Sequence, residues 1–456
     1  MKVLGTLNGL TLALLAAVVA AASWACQSDN LNFDAGNGDG TGGDPYWDGD
    51  VLVTPDGEDV LPDYFYGPKG TIEGVVMSPE SGDPMVTNFP VSGALVYLVK
   101  EPPGNMPDGA YCHRCVELSE TVPSDFSAAD GTFRIANVPQ GSWVMVVEKG
   151  DFRKVSLIDV IADTVITTER VNTTFPKYHA PPNDFTPRMA VALGSFDTME
   201  DIVAKMGLCP LDAEYHWSGD PCDHIDFYGN GGGDWTADYT PFDSLLRNLD
   251  LMLQYHVIFV PCSGSTTDDA LSDPTVLNNI RSYVDRGGKW YIADWSYDFV
   301  EQAFPEFLDF EGDDYEVGSA DWASGSFDST GRAVDANLRD WLLAIGEPAD
   351  NIDFEENWDC IQAMGTVPGI DEDGNPVSIT PYTWAEGPIT RGHECMAGNA
   401  PLTMTFPFGC GKVLFTTYHT VGDMGGEGRA ALLAQEKILF YLILEIGLCT
   451  DEVIII

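Results

Sequence analysis

The chain has 456 residues, room for about three units at roughly 150 residues each. With 71 Asp and Glu against 22 Lys and Arg the formal net charge is −49, while 44% hydrophobic and 11% aromatic residues supply ample apolar surface for a core. These numbers exclude a small disulfide-stapled scaffold and wholesale disorder, and the lack of a basic footprint excludes nucleic acid as a partner.

Lys2 opens a short n-region, and Leu10 to Ala22 is apolar except for Thr11. That run is too short for a spanning helix and suits the hydrophobic part of a secretory signal. Cleavage after Ala25 puts small residues at −1 and −3 and makes Cys26 the first mature residue. The stretch Ser23-Trp24-Ala25-Cys26 resembles a bacterial lipoprotein signal. The resemblance implies a signal peptide over residues 1–25, lipidation of Cys26, and a membrane partner through that anchor, with the protein exported to the cell envelope at the outer membrane or cell surface. An ordinary cleaved signal peptide is the alternative. Export makes disulfides the default for the remaining nine cysteines, and an odd number leaves one thiol over. Short loops suggest Cys112 with Cys115, Cys209 with Cys222 and Cys395 with Cys410, although sequence alone does not fix connectivity.

Residues 26–66 turn to Gly, Asp and Pro, with acids and no Lys or Arg before Asp63, which reads as a flexible, charge-extended tether. Over 67–178 the pattern becomes short alternating runs broken by turn residues, the sign of about seven antiparallel strands in a sandwich. The residues Gly70 to Gly74, Val91 to Val96, and Asp130-Gly131-Thr132-Phe133-Arg134-Ile135-Ala136-Asn137-Val138-Pro139-Gln140-Gly141 resemble the carboxypeptidase regulatory-like, prealbumin-type β-sandwich. Glu101 to Phe126, with Cys112 and Cys115, reads as a long loop.

Over 187–449 strands alternate with helices, the pattern of a parallel sheet covered on both faces. Strands are predicted at Met189 to Leu193, His256 to Pro261 and Trp290 to Ala293, with a pair at Leu402 to Phe406 and Lys412 to Tyr418. Helices are predicted near Thr198 to Met206, at Phe242 to Gln254, at Asp273 to Arg286 before Gly287-Gly288, and at Glu427 to Gly447. The runs Tyr255 to Pro261, Ile280 to Asp294 and Gly411 to His419 resemble the class I glutamine-amidotransferase-like family. The fold so implied is multidomain: an antiparallel β-sandwich followed by a three-layer α/β flavodoxin-like domain with a large insertion at about 305–400.

Active members of that family carry a nucleophilic Cys on a G-x-C-x-G turn between strand and helix, and a His followed two residues later by Glu. Here Ala293-Asp294-Trp295 stands at the turn, and His419 is followed by Thr420 and Val421. The resemblance therefore implies a scaffold that lacks its nucleophile and acts in binding or surface structure. The rival reading is a secreted hydrolase using Cys262 with His419, or Asp294 with Asp298 as paired carboxylates. Cys112 to Cys115 lacks the second ligand pair of a zinc site, and Gly194-Ser195-Phe196-Asp197 is no dinucleotide loop, so neither metal nor cofactor is expected. Aromatics interleaved with Asp and Gly from His216 to Tyr239 suit a carbohydrate ligand, with a protein ligand as the other possibility.

Overall fold

The computed structural model describes residues 67–448, apart from 114–115, 117, 120, 232–235, 237, 264–267, 312–325, 372–373, 390–394 and 421–427, together with short strands at 46–48, 51–53, 59–60 and 454–455. Residues 39–456 form one compact unit. The expected signal peptide at 1–25, Cys26 and Cys115 lie outside the described residues. Within the stretch read as an unstructured tether, Tyr46–Asp48, Val51–Val53 and Asp59–Val60 pair into a small antiparallel sheet, which corrects that expectation. Val51-Leu52-Val53 is a β-favouring triplet that the acidic average of its surroundings conceals.

Described as a whole, the protein is mostly β, with several sheets and few helices. Two sheets face each other in the first half. One holds Val165–Thr167, Lys69–Val75 and Thr132–Pro139; the other holds Asp184–Phe185, Phe152–Val160, Gly141–Lys149, Leu95–Val99 and Ser124–Phe126. Pairing is antiparallel except between Val165–Thr167 and Lys69–Val75. Alternation along Thr132–Pro139 turns Phe133 and Ile135 inward, where they meet Val96, Leu98, Met145 and Val147 of the facing sheet. The outer face of the larger sheet is also apolar, and Tyr97, Val144, Val146 and Val155 are covered by Leu118 and Val122 from the long loop.

The second half is built on a nine-stranded sheet. Its parallel part runs in the order Ile225–Gly229, Met189–Leu193, Val257–Val260, Lys289–Ala293, Gly411–Thr416. Asn399–Phe408, Tyr382–Pro388, Phe327–Ala333 and Asp350–Asn357 continue it in antiparallel fashion. Within 305–400, Phe327–Ala333, Asp350–Asn357 and Tyr382–Pro388 thus extend the main sheet, while Leu308–Phe310 pairs with Ile361–Met364, and Val367–Ile370 with Pro376–Ile379, in two small separate sheets. The parallel strands are apolar on both faces because helices cover both: Val191, Phe259 and Tyr291 join a core with Met199–Lys205 and Ala434–Ile446, while Ala190, Ile258 and Trp290 join one with Phe242–Leu246 and Pro274–Asp285. The single helix predicted over Phe242 to Gln254 is two, Phe242–Leu246 and Leu249–Met252. Asn248 breaks it, since its side chain accepts the Leu251 N–H and caps the second piece. Among the described residues no helix is long and apolar enough to cross a membrane.

The two halves share one core. Trp341, on the helix Ala336–Ala344, packs edge-on against Phe89 of the sandwich at 5.9 Å, and its Nε1 donates to the Pro90 carbonyl at 2.8 Å. Lys149 Nζ meets Glu445 Oε1 at 2.5 Å. Buried Asp151 lies 3.4 Å from both Lys289 Nζ and His113 Nδ1. Burial opposes its charge, yet those two neighbours win and hold the carboxyl far below the usual range.

Two of the short-loop disulfide pairings are corrected. Cys209 is bonded to Cys222, but Cys112 is bonded to Cys410, 298 residues away, and Cys395 to Cys360. The long loop lies across the sandwich and reaches the strand that begins at Gly411, so its cysteine meets a distant partner. Loop length in sequence says nothing of that docking.

Because Trp341 is 1% exposed and Leu157 79% exposed, Trp341→Ala is predicted to cost about 3–5 kcal/mol and Leu157→Ala within about 0.5 kcal/mol, read from urea unfolding midpoints. A Trp341→Ala shift no larger than that of Leu157→Ala would remove the junction from the core.

Candidate functional site

Four loops that follow parallel strands converge at the carboxyl edge of the sheet, the place where α/β folds gather ligands. The central one begins at Asp294, directly after the fully buried strand Lys289–Ala293. Its φ is +48°, in the left-handed region that Asp and Asn tolerate better than other side chains. A short 3-10 turn, Asp294–Ser296, follows, and Ser296 Oγ donates to the Pro261 carbonyl at 2.8 Å, tying this turn to the next strand end.

Both Asp294 carboxylate oxygens are engaged. Oδ2 lies 2.7 Å from His419 Nδ1, and Oδ1 accepts the Trp358 N–H at 2.8 Å. His419 follows the adjacent strand Gly411–Thr416, and its carbonyl accepts Gln435 Nε2 from the closing helix at 2.8 Å. Cys262 follows Val257–Val260 on the other side and is the free cysteine among the described residues. Its carbonyl accepts the Phe196 N–H at 3.4 Å, and a Cβ at Gly194 would stand 2.6 Å from that oxygen, so this approach requires glycine. Asp197 completes the group: Oδ2 accepts the Cys262 N–H at 3.4 Å, and Oδ1 accepts the Thr420 N–H at 3.2 Å and its hydroxyl.

One donor atom from each of Cys262, Asp294 and His419 lies within 4.8 Å of the others. All three are buried, at 1%, 0% and 6% exposure. Burial raises the Asp197 carboxyl to about 6 and lifts that of Asp294, with the His419 side chain opposing in both cases. Burial, then the charges of Asp294 and Asp197, drive the Cys262 thiol well above its ordinary value. Burial alone would depress His419, but its hydrogen bond and attraction to Asp294 prevail and the imidazole ends above its usual pKa. The arrangement holds a protonated thiol and a hydrogen-bonded carboxylate–imidazole pair out of water. A thiolate nucleophile needs the reverse, an exposed sulfur with a lowered pKa.

Asp298 heads the helix Asp298–Glu301, and its Oδ1 accepts Gln302 Nε2 at 3.5 Å. In the aromatic stretch, Trp217 stacks on Phe227 at 4.0 Å and Trp235 lies outside the described residues. A separate cleft of about 280 Å³ opens between the sandwich and the closing helix, lined by Ser92, Phe126, Ser127, Asn337, Asp340 and Glu445 among others. Sequence reading found no signal for that cleft and assigned no site role to Asp197, Thr420 or Trp358. Asp197 alone carried a signal, as an acid just after the first strand of the sheet.

No protein-family model matches the chain, and no curated protein matches it. Similar solved structures include a ThuA-like protein of Bacteroides uniformis, 10% identical, with a TM-score of 0.30 over 58% of this chain and 94% of that one. A Pseudomonas aeruginosa protein described as carbohydrate binding is 14% identical, with a TM-score of 0.18 over 24% of this chain and 97% of that one. A minor pilin of Streptococcus agalactiae is 15% identical, with a TM-score of 0.17 over 26% of this chain, which spans just under half, 46%, of the pilin.

Proposed function

We propose that the protein is an exported lipoprotein of the bacterial cell envelope, anchored through Cys26, whose flavodoxin-like, glutamine-amidotransferase-like domain is a non-catalytic scaffold for binding or surface structure. The observation that carries this reading is the engagement of Asp294: it occupies the turn where such a domain holds its nucleophile, and both its oxygens are already bonded out of water. Three disulfides among the described residues support an oxidising compartment. The rival, a secreted hydrolase built on Cys262 and His419, draws on their proximity, but the sulfur is buried and its pKa raised.

Purified protein is predicted to show no hydrolysis of p-nitrophenyl acetate or of a glutaminyl anilide beyond that of its His419→Gln variant. Turnover that disappears in Cys262→Ser or His419→Gln, with circular dichroism unchanged, decides for the hydrolase. Mass spectrometry of the mature protein is predicted to find an acylated N-terminal Cys26; a free cysteine there, or cleavage elsewhere, excludes the anchor.

The ligand we assign to this surface is a carbohydrate, held in the cleft that Phe126, 64% exposed, lines together with Asp340 and Asn337. An exposed ring offers a face for a sugar, and the acid accepts hydroxyl donors. On an array of bacterial cell-wall and capsular saccharides, binding is predicted to weaken about tenfold in Phe126→Ala at unchanged melting temperature. An array with no hit, or hits indifferent to Phe126, overturns the assignment.

A further inference from the structure

We propose that Cys262, Asp294 and His419 form a binding site for one divalent transition-metal ion, of the zinc class. This goes beyond the reading of the domain as a scaffold, and concerns what the sealed sheet edge holds.

The argument begins with donor chemistry. A thiol, a carboxylate and an imidazole are the three side-chain types that bind zinc, and here one atom of each lies within 4.8 Å of the other two. They come from three successive neighbours in the parallel sheet, so the backbone fixes their spacing independently of one another. Charge gives a second, separate reason. Asp197 and Asp294 are both buried here, with Asp294 Oδ2 against His419 Nδ1 at 2.7 Å and Asp197 Oδ2 against the Cys262 N–H at 3.4 Å. A divalent ion bound by a thiolate, a carboxylate and a neutral imidazole makes a centre of zero net charge, so the ion's charge is met inside the buried site. The surroundings supply the outer supports that metal ligands use: the Trp358 N–H fixes Asp294, and Gln435 Nε2 fixes the His419 backbone.

Binding needs one adjustment. His419 Nδ1 and Asp294 Oδ2 are 2.7 Å apart, whereas two ligands at about 2.0–2.1 Å from a tetrahedral ion stand about 3.3 Å apart. The hydrogen bond must open by rotation of side chains, and the protons of the thiol and of Nδ1 leave to solvent as the ion enters. Three protein donors leave a fourth position to water or to Asp197. The sulfur selects against calcium and magnesium, which take oxygen ligands.

The full mature protein, stripped with chelator and titrated with Co²⁺ without oxygen, is expected to show a thiolate-to-cobalt charge-transfer band saturating at one equivalent. Zn²⁺ should abolish the band by displacement, and Cys262→Ser should lack it. Absence of the band, or its persistence in Cys262→Ser, overturns the proposal. If Cys262→Ser does not fold, the wild-type protein serves: iodoacetamide labelling of the Cys262 peptide, followed by mass spectrometry in mild urea, should slow about tenfold or more with Zn²⁺ present. An unchanged labelling rate also overturns it. Neither readout depends on turnover, so a hydrolase result and a metal result are distinguishable.

Discussion

A carboxylate taken fully out of water at the end of a strand is tolerable only when other groups meet its charge, and Asp294 is met on both oxygens. That requirement organises the whole carboxyl edge of the sheet. His419 must sit on one side, which fixes the path of the chain beyond Gly411–Thr416. Trp358 must sit on the other, which draws in the end of Asp350–Asn357. Asn357 accepts from Thr417 Oγ1 at 2.7 Å, so the outermost antiparallel strand is fastened to the central parallel ones by the same local network. Gln435, holding both the His419 carbonyl and the Glu355 N–H, brings the closing helix onto it.

A comparable logic operates where the sandwich meets the sheet. Phe89, Trp341 and Phe440 continue the apolar interior from one half into the other, which lowers the area either would expose alone. The polar groups in that contact are matched in pairs, Lys149 with Glu445 and Asp151 with Lys289. For a chain of net charge −49 with only 22 basic residues, placing two lysines inside the molecule marks these contacts as fixed points of assembly. The Cys112 to Cys410 disulfide adds a covalent tie at the same junction.

Much of this architecture could be read from residue order. Apolar runs such as Met189–Leu193 and Lys289–Ala293 are strands because burial on both faces leaves no room for alternation, and the Gly287-Gly288 stop after Pro274–Asp285 marks the helix end. Asp294 opens the turn directly after Lys289–Ala293, a strand end that the apolar run marks in the sequence. What could not be read depends on distant pairing. The disulfides of Cys112 and Cys395 follow from how loops dock, and the small sheet at 46–60 was hidden by its acidic surroundings. The added strand Phe327–Ala333 alternates buried and exposed positions with Ser329 and Gly331 facing in, and Asp350–Asn357 turns Ile352 and Phe354 inward, yet nothing in either run says which sheet it joins.

The Cys262, Asp294 and His419 cluster shows why a site can be present in a sequence without a motif. The three residues are 32 and 125 positions apart, too irregular for any local pattern. In space they follow three strands that are immediate neighbours, and parallel strands lie about 4.8 Å apart, so residues just past their ends must come together whatever lies between them in the chain. The middle strand bears the left-handed turn, where a reactive side chain would be presented most openly. Here that place is taken by an acid held on both sides, and the sulfur stands one strand over, shielded from solvent on a residue whose backbone carbonyl lies against Gly194. At three such neighbouring ends, side chains taken out of water have to balance one another's charge from within, as Asp294 and His419 do across 2.7 Å.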